Sequence, residues 1–323
     1  MSVNTKAIKR RIKSVGSTHK ITKAMQMISA VKMRKAVDSA INTRTYATLA
    51  WDLLVKLSKT KKKELPLLDA RQVKKLLIIM ITSNRGLCGS FNANIIKKTA
   101  EQLNNPINIG RQRVENTFLE PSSEMLVDVI GIGKKGADFA KKMNYNLIAS
   151  FSDFSDTPTL NDVLPISRMV IEAYEKKQYD KVVVAYTDFK STINQVAKFR
   201  QVLPISEFDL EKMLLSLGDQ EQEKQNKKMT KERAEFELDN YLFEPNQDQV
   251  LQIILPKLVE TQIYQAVLES SASEHSARMM AMQNASEAAS EMIGELNLIY
   301  NKARQAGITQ EIAEIAGGAA ALE

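Results

Sequence analysis

Residues 249–322 form the stretch that most constrains what this chain can fold into. The stretch contains one early proline, Pro256, and its first glycine is Gly294. Residues that can pack recur at alternating steps of four and three, which is the heptad-like pattern of a coiled coil. The seam consists of Ile254, Leu258, Thr261, Gln265, Leu268, Ala272, His275, Met279, Met282, Ser286, Ala289, Ile293, Leu296, Tyr300 and Ala303.

The middle of this seam is small and polar, which sets what the helix needs around it. Small side chains let two helix backbones approach closely. They bury little apolar area, however, and each buried methylene contributes only about 0.8 kcal/mol. The sequence therefore predicts that the helix needs a partner strand in the coil and a surrounding sheath of other protein.

Residues 1–63 are the expected partner strand. They lack proline, have one glycine and carry 16 Lys and Arg residues against Asp38 and Asp52, whereas the chain from residue 257 onward is acidic. Opposite charge favours pairing of the two ends, although each exposed ion pair contributes little. We therefore expect an antiparallel coiled coil of the N- and C-terminal helices. The apolar residues at helical spacing in this first stretch are Ile8, Ile12, Val15, Ile21, Met25, Ile28, Val37 and Ile41.

The middle of the chain alternates strand and helix patterns. Such alternation predicts an α/β class fold, here a central doubly wound, Rossmann-like domain with a mostly parallel sheet. The polar stretch 104–123 is predicted to be a loop, and 192–202 a further, antiparallel strand. The other predicted strands are 75–82, 125–132, 146–150 and 181–187, and the predicted helices are 93–103, 134–143 and 160–177.

These patterns divide the chain into four predicted parts. Residues 1–63 are the N-terminal coiled-coil helix, 70–206 the α/β globular domain, and 246–323 the C-terminal coiled-coil helix. Residues 207–240 are rich in Lys, Glu and Gln, which is typical of a solvated insertion.

Composition excludes several classes of protein. No apolar run reaches the roughly 18–20 residues that span a bilayer, and the charged N-terminus lacks the core of a signal peptide. The one cysteine, Cys88, excludes an internal disulfide framework and fits a reducing compartment. The net charge of +7 comes without aromatic residues interleaved among the N-terminal bases, so nucleic-acid binding is disfavoured. We expect a soluble, intracellular protein.

Two features invite a catalytic or binding interpretation. Gly131, Gly133 and Gly136 form G-x-G-x-x-G after a strand and before a helix, the setting of a dinucleotide fingerprint. The strand is the second of its domain, so a tight strand-to-helix turn is favoured and a dinucleotide site stays an alternative. Cys88 could be a nucleophile only beside a base, and both histidines lie in the terminal helices. A buried structural cysteine is therefore expected, and a zinc site is not.

Long sequence blocks carry a resemblance to a known family. Residues 20–36 read KITKAMQMISAVKMRKA, 83–92 read SNRGLCGSFN, and 300–321 read YNKARQAGITQEIAEIAGGAAA. With the YLFEP and ETQIYQAV runs, these blocks resemble the gamma subunit of bacterial-type F-type ATP synthases. The stretches 105–123 and 207–238 depart from the family pattern in length.

The resemblance implies a role without catalysis. The coiled coil would be the central rotor shaft of a proton-translocating ATP synthase, turning inside a ring of three alpha and three beta subunits. The α/β domain would bind the epsilon subunit and the membrane c-ring. The chain would need no cofactor, bind no nucleic acid and insert no segment into the membrane. It would be a peripheral membrane protein on the cytoplasmic face of the cell inner membrane.

The same resemblance implies which residues touch the ring. Those implied in coupling contacts with the beta subunits are Lys23, Met25, Arg278, Gln305, Thr309, Glu311 and Glu314. Those implied at the tip, within an apolar bearing, are Ile315, Ala319 and Leu322.

Overall fold

Two long helices begin and end the fold in the computed structural model. The structure describes residues 5–58, 65–105, 107–114, 117–122, 124–152, 154–155, 157–205, 244 and 246–320. Helix α1 spans Thr5–Ser58, and the last helix, α6, spans Gln247–Ala320. The chain forms two compact units, one of residues 1–30 with 278–323 and the other of residues 31–277. The predicted insertion at 207–240 lies outside the described residues.

A five-stranded sheet is the centre of the second unit. Its strands are β1 Lys75–Ile81, β4 Leu126–Ile132, β5 Asn146–Phe151, β6 Lys181–Phe189 and β7 Gln195–Leu203. Their order across the sheet is β5-β4-β1-β6-β7. The first four strands are parallel to one another, and only β7 is antiparallel to its neighbour β6. The predicted mostly parallel sheet with one antiparallel strand is confirmed.

Helices cover both faces of this sheet, which is why its central strands are apolar without alternation. The intervening helices are α2 Phe91–Asn104, α4 Lys134–Lys142 and α5 Leu160–Glu175. In β1, Leu77 and Ile79 pack in a core with side chains of α5 and α6. Ile78 and Met80 point the other way, into a core with Ile95 of α2. The domain is therefore doubly wound, as predicted.

The stretch 104–123 is more structured than the predicted loop. It contains the short helix α3, Ile107–Gly110, and an antiparallel pair of strands, β2 Gln112–Val114 and β3 Thr117–Leu119. The prolines at 106 and 121 gave the appearance of an irregular segment. The loop prediction was wrong because two three-residue strands are too short to show an alternating pattern.

The first part of α6 packs onto the sheet. Leu255, Leu258 and Ile263 belong to the same apolar core as β1, β4 and β6. Pro256 lies inside this helix. Proline fixes φ and lacks an N–H, so it is tolerated best in the first turn of a helix. Pro256 lies in the third turn, where it cannot donate the usual helical hydrogen bond. The sequence made this helix a coiled-coil element throughout, and the structure adds its role as a layer of the α/β domain.

The carboxylate of Asp180 ties the loop before β1 to the start of β6. It accepts hydrogen bonds from Arg71 Nε at 2.7 Å and from the backbone N–H groups of Lys74 and Lys75 at 2.9 Å. Partial burial would raise the pKa of Asp180. These hydrogen bonds and the Arg71 charge outweigh burial and lower that pKa below its ordinary value of 3.8.

A lowered pKa in the folded state predicts a pH-dependent contribution to stability. The contribution is present above the unfolded pKa near 3.8 and is lost as pH falls through the lower folded value. We expect Asp180→Asn to destabilise the chain by about 1–3 kcal/mol at pH 7 and by much less near pH 3. Urea denaturation at both pH values measures this difference. A loss of equal size at pH 3 would contradict it, and Asp138→Asn, which replaces an exposed carboxylate of helix α4, is the control.

Candidate functional site: the terminal helices and the glycine turn

The predicted seam of α6 is buried as expected. Positions Leu268, Ala272 and His275 are buried, and the same four-three spacing continues through Met282 and Ala289. Beyond residue 303 the pattern stops, and every described side chain from 304 to 318 is exposed. The helix therefore has a packed part and a terminal part that the rest of the described chain leaves uncovered.

The buried seam of α1 differs from the predicted apolar stripe. Ile21, Ile28 and Ile41 are 60%, 54% and 51% exposed. The buried side chains of this helix are instead Thr22, Ser29, Met33, Ala36 and Ala40. The stripe prediction was wrong at these positions, because the buried side chains are mostly small or polar while the large apolar ones stay exposed.

Both seams consequently contain many small and polar residues at heptad spacing. The N-terminal 30 residues and the segment from Arg278 onward belong to one compact unit. Matching heptad spacing on two helices of one unit supports the predicted coiled coil. The large apolar side chains of α1 that the contact leaves exposed are Ile21, Met27, Ile28 and Val31.

The predicted ring-contact residues lie on the helices of that unit. Lys23 is exposed and Met25 half-buried on α1, whereas Arg278 is buried on α6. The structure directly joins two of the others, since Thr309 Oγ1 donates to the Gln305 carbonyl at 3.0 Å. This bond is local to the helix, and all the predicted contacts from 305 onward are exposed.

The tip residues are described unequally. Ile315 is 74% exposed. Glu314 accepts a hydrogen bond from Gln310 Nε2 at 2.9 Å, and Glu311 lies on the same exposed segment. Ala319 belongs to α6, and Leu322 lies outside the described residues. An exposed Ile on a helix end with no core of its own is a surface suited to another protein.

The backbone N–H groups of the glycine turn at 131–136 donate hydrogen bonds to other residues of the chain. A phosphate at this place would need the free N–H groups at the start of α4. The chain has used them: Lys134 N–H donates to Asn84 Oδ1 at 3.1 Å, Lys135 N–H to the Ser83 carbonyl at 3.3 Å, and Gly136 N–H to Thr82 Oγ1 at 2.8 Å. The predicted tight strand-to-helix turn fits this geometry, and the alternative of a dinucleotide site gains no support.

Helix α6 also contacts the sheet near the usual ligand crevice of a doubly wound fold. Such folds bind ligands beyond the carboxyl ends of strands at the point where the strand order reverses, here between β1 and β6. At that end of β6, Thr187 N–H donates to Ser270 Oγ at 3.1 Å and Ser273 Oγ donates to the Thr187 carbonyl at 3.2 Å. Helix α6 thus contacts β6 near the carboxyl end of that strand.

Cys88 is buried, as predicted for a structural cysteine. Its sulfur accepts from Asn92 Nδ2 at 3.2 Å and lies 3.7 Å from Ser83 Oγ. His19 lies in α1 and His275 in the buried seam of α6. Within the part of the chain that the structure describes, no group of three or more His, Cys, Asp or Glu side chains could hold a metal ion.

A buried ionic cluster was missed by sequence reasoning. Arg200 Nη2 of β7 lies 3.5 Å from Glu269 Oε2 of α6, and the guanidinium also donates to the Tyr186 hydroxyl while lying 4.5 Å from the centre of that ring. Asp188 is paired with Lys198 and with Lys190 Nζ at 3.6 Å. Glu269 and Asp188 are fully buried.

Burial raises the pKa of Glu269 above its ordinary value of 4.5. The Arg200 charge lowers this pKa, the nearby Asp188 raises it, and a hydrogen bond from Gln265 Nε2 lowers it. The net direction is upward, because removing the carboxylate from water is the largest effect. The sequence gives one sign of this cluster, namely that Glu269 follows the seam position Leu268. An exposed charged face of the helix would explain that placement equally well.

Among the residues that the structure describes, no helix is both long and apolar enough to cross a bilayer.

Comparison with known proteins agrees with the observed fold. A protein-family model described as ATP synthase matches residues 4–322. The ATP synthase gamma chain of Roseiflexus castenholzii is 39% identical over 322 residues, covering 99% of this chain and 98% of that protein. The ATP synthase gamma chain of Dehalococcoides mccartyi strain CBDB1 is 38% identical and covers 99% of both chains.

Solved structures share the architecture at lower identity. A chain of the Euglena gracilis mitochondrial ATP synthase, in a structure of OSCP, F1 and c-ring, has a TM-score of 0.58 at 20% identity, covering 98% of this chain and 94% of that chain. A chain of the Tetrahymena thermophila central stalk and c-ring structure has a TM-score of 0.54 at 24% identity, covering 82% and 99%. At these identities the likeness concerns the fold. On the near-complete family match and the curated relatives, the chain belongs to the ATP synthase gamma chain family.

Proposed function

We propose that the chain is the central rotor shaft of a proton-translocating F-type ATP synthase. It transmits torque between the membrane c-ring and the catalytic alpha/beta hexamer and catalyses no reaction itself. The observation that carries the proposal is the seam of α6, whose small, polar buried positions continue into a fully exposed segment at 304–318. Such a helix is stable only where other protein surrounds it.

The partners follow from the assemblies in which the structural relatives occur. Those relatives are chains of ATP synthase structures described as central stalk with c-ring and as OSCP, F1 and c-ring. We propose that this chain binds three alpha and three beta subunits, the epsilon subunit and the membrane c-ring. Its place is then on the cytoplasmic face of the cell inner membrane, as a peripheral protein.

The ring contacts are proposed on the same basis. The exposed Lys23 and half-buried Met25 of α1 would face the moving acidic loop of the beta subunits, and the buried Arg278 of α6 would belong to the contacts that set coupling. Further contacts that would set coupling are Gln305, Thr309, Glu311 and Glu314. The tip residues Ile315, Ala319 and Leu322 would lie in an apolar bearing. The proposed division keeps 1–63 and 246–323 as the shaft helices and 70–206 as the globular foot.

A pull-down tests the proposed function. The chain is tagged, membranes from the source cells are solubilised in detergent, and the eluate is assayed for subunit stoichiometry and ATP hydrolysis. We expect the larger subunits to co-elute with one tagged chain per complex and with ATPase activity. Recovery of the chain alone, without ATPase, would contradict the rotor proposal, and titration with a nicotinamide cofactor would then examine the 131–136 turn.

Deleting residues 317–323 tests whether the tip contributes to the stability of the chain or only to coupling in the complex. The described residues 304–318, which include the first two of the deleted segment, are all exposed. We expect the unfolding free energy of the isolated chain to change by less than about 0.5 kcal/mol, as for surface changes. Urea denaturation measures this, and the assembled complex should show weaker coupling of ATP hydrolysis to proton pumping. A chain that no longer folds would show that the tip belongs to the core.

A further inference from the structure

The hydrogen bonds and the ion pair between α6 and the β6–β7 hairpin are concentrated in residues 269–276 of the helix. Thr187 exchanges two hydrogen bonds with the helix, donating to Ser270 and accepting from Ser273. Ser276 Oγ donates to the Thr192 carbonyl at 2.8 Å. These three serines are at most 2% exposed. All three hydroxyls bond to strand or hairpin backbone, which cannot rotate away as a side chain can.

The part of α6 before this segment holds the sheet in a different way. Leu255, Leu258, Val259 and Ile263 contribute apolar contacts to the sheet core. Apolar attraction is large but has no preferred direction, so it resists separation of helix and sheet more than rotation of the helix. Hydrogen bonds weaken steeply when their angles change. The serine contacts therefore fix the rotation of α6 about its own axis.

The ion pair beside the serines adds a further constraint. Glu269 and Arg200 join α6 to β7, and Arg200 is held in turn by Tyr186 of β6. A buried ion pair contributes little net stability relative to apolar packing, but it is strongly unfavourable when its partners separate. It therefore acts on the position of the helix rather than on the stability of the domain.

We propose that residues 269–276 of α6 are the joint through which torque passes between the α/β sheet and the shaft helix. The inference rests on the proposed rotor function and gives that function a location in this chain. Serine hydroxyls bonded to the β6–β7 backbone pass the turning force into the hydrogen-bonded sheet. The residues of the joint are positioning residues: Ser270, Ser273 and Ser276, with Glu269 and its partner Arg200.

The test compares coupling with catalysis in the complete complex. The double variant Ser270→Ala/Ser273→Ala is assembled into ATP synthase and reconstituted in lipid vesicles. ATP hydrolysis and ATP-driven proton uptake are both measured. We expect hydrolysis within about twofold of the wild type and a ratio of pumping to hydrolysis that falls about fivefold, the order of effect of losing one or two hydrogen bonds. Ser290→Ala, an exposed serine of the same helix, is the matched control and should leave the ratio unchanged.

Several results would overturn the joint. One is an unchanged pumping ratio in a double variant that assembles, even with lower thermal stability, because a purely structural role predicts that combination. If the double variant fails to assemble, Ser270→Ala and Ser273→Ala are measured singly, and an unchanged ratio in both is decisive against the proposal. A wild-type chain that recruits no ATPase partners would instead contradict the rotor function itself.

Discussion

Replacing Gly133 with alanine is expected to lower the free energy of unfolding by at least about 3 kcal/mol. Gly133 has φ of 89°, and an added Cβ would lie 2.1 Å from the Thr82 carbonyl oxygen. Thr82 has little room to move, since its N–H donates to the Ile132 carbonyl at 2.8 Å and its Oγ1 accepts from Gly136 N–H. The substitution therefore combines a strained backbone with a clash against backbone.

Urea denaturation of the full chain, followed by circular dichroism, measures this loss. Gly294→Ala is the control, because an added Cβ at Gly294 meets nothing within 4 Å. A glycine inside α6 costs helix stability relative to alanine, so this variant should gain about 0.5–1 kcal/mol. Equal stability of the two variants would mean that the turn at 131–136 is looser than its contacts indicate.

Removing the buried guanidinium is the second large effect. Arg200→Met should cost about 3–5 kcal/mol, because Glu269 and Asp188 are then buried with one cation fewer. The double variant Arg200→Met/Glu269→Leu removes the unpaired carboxylate as well, and most of the loss should be recovered. Chemical denaturation of the two variants measures the recovery. A double variant less stable than Arg200→Met would show that the pair contributes net stability of its own.

The same cluster predicts a pH dependence whose sign is opposite to that of Asp180. The folded pKa of Glu269 is raised, so its contribution to stability is complete below the ordinary pKa of 4.5 and is lost as pH rises through the folded value. Arg200→Met removes the charge that lowers this pKa, so the loss of stability should extend to higher pH and be larger in total. Glu269→Gln in the same background should abolish that slope, and denaturation midpoints across pH 5 to 8 report it. A slope that survives Glu269→Gln would place the titrating group elsewhere.

The helices and strands of this fold could be predicted from the sequence because each depends on a local pattern of apolar and polar residues. The apolar run at 75–82 has no polar alternation, which is how a strand buried on both faces reads. The four-three spacing predicted the seam positions of α6, and most of these positions are buried as far as Ala289. The glycine turn was favoured over a dinucleotide site on its place in the strand order.

The tertiary structure decided the side of contact and the partners of the polar groups. In α1 the small Ser29 and Ala36 are buried whereas the larger Ile28 is exposed, and only tertiary packing decides this. The cluster of Glu269, Arg200 and Asp188 joins residues far apart in the chain, so no local pattern could bring them together. The N–H groups of the glycine turn have partners on the segment after β1, and only the folded sheet places them there. Local propensity and periodicity determine elements, whereas long-range packing determines which polar atoms meet.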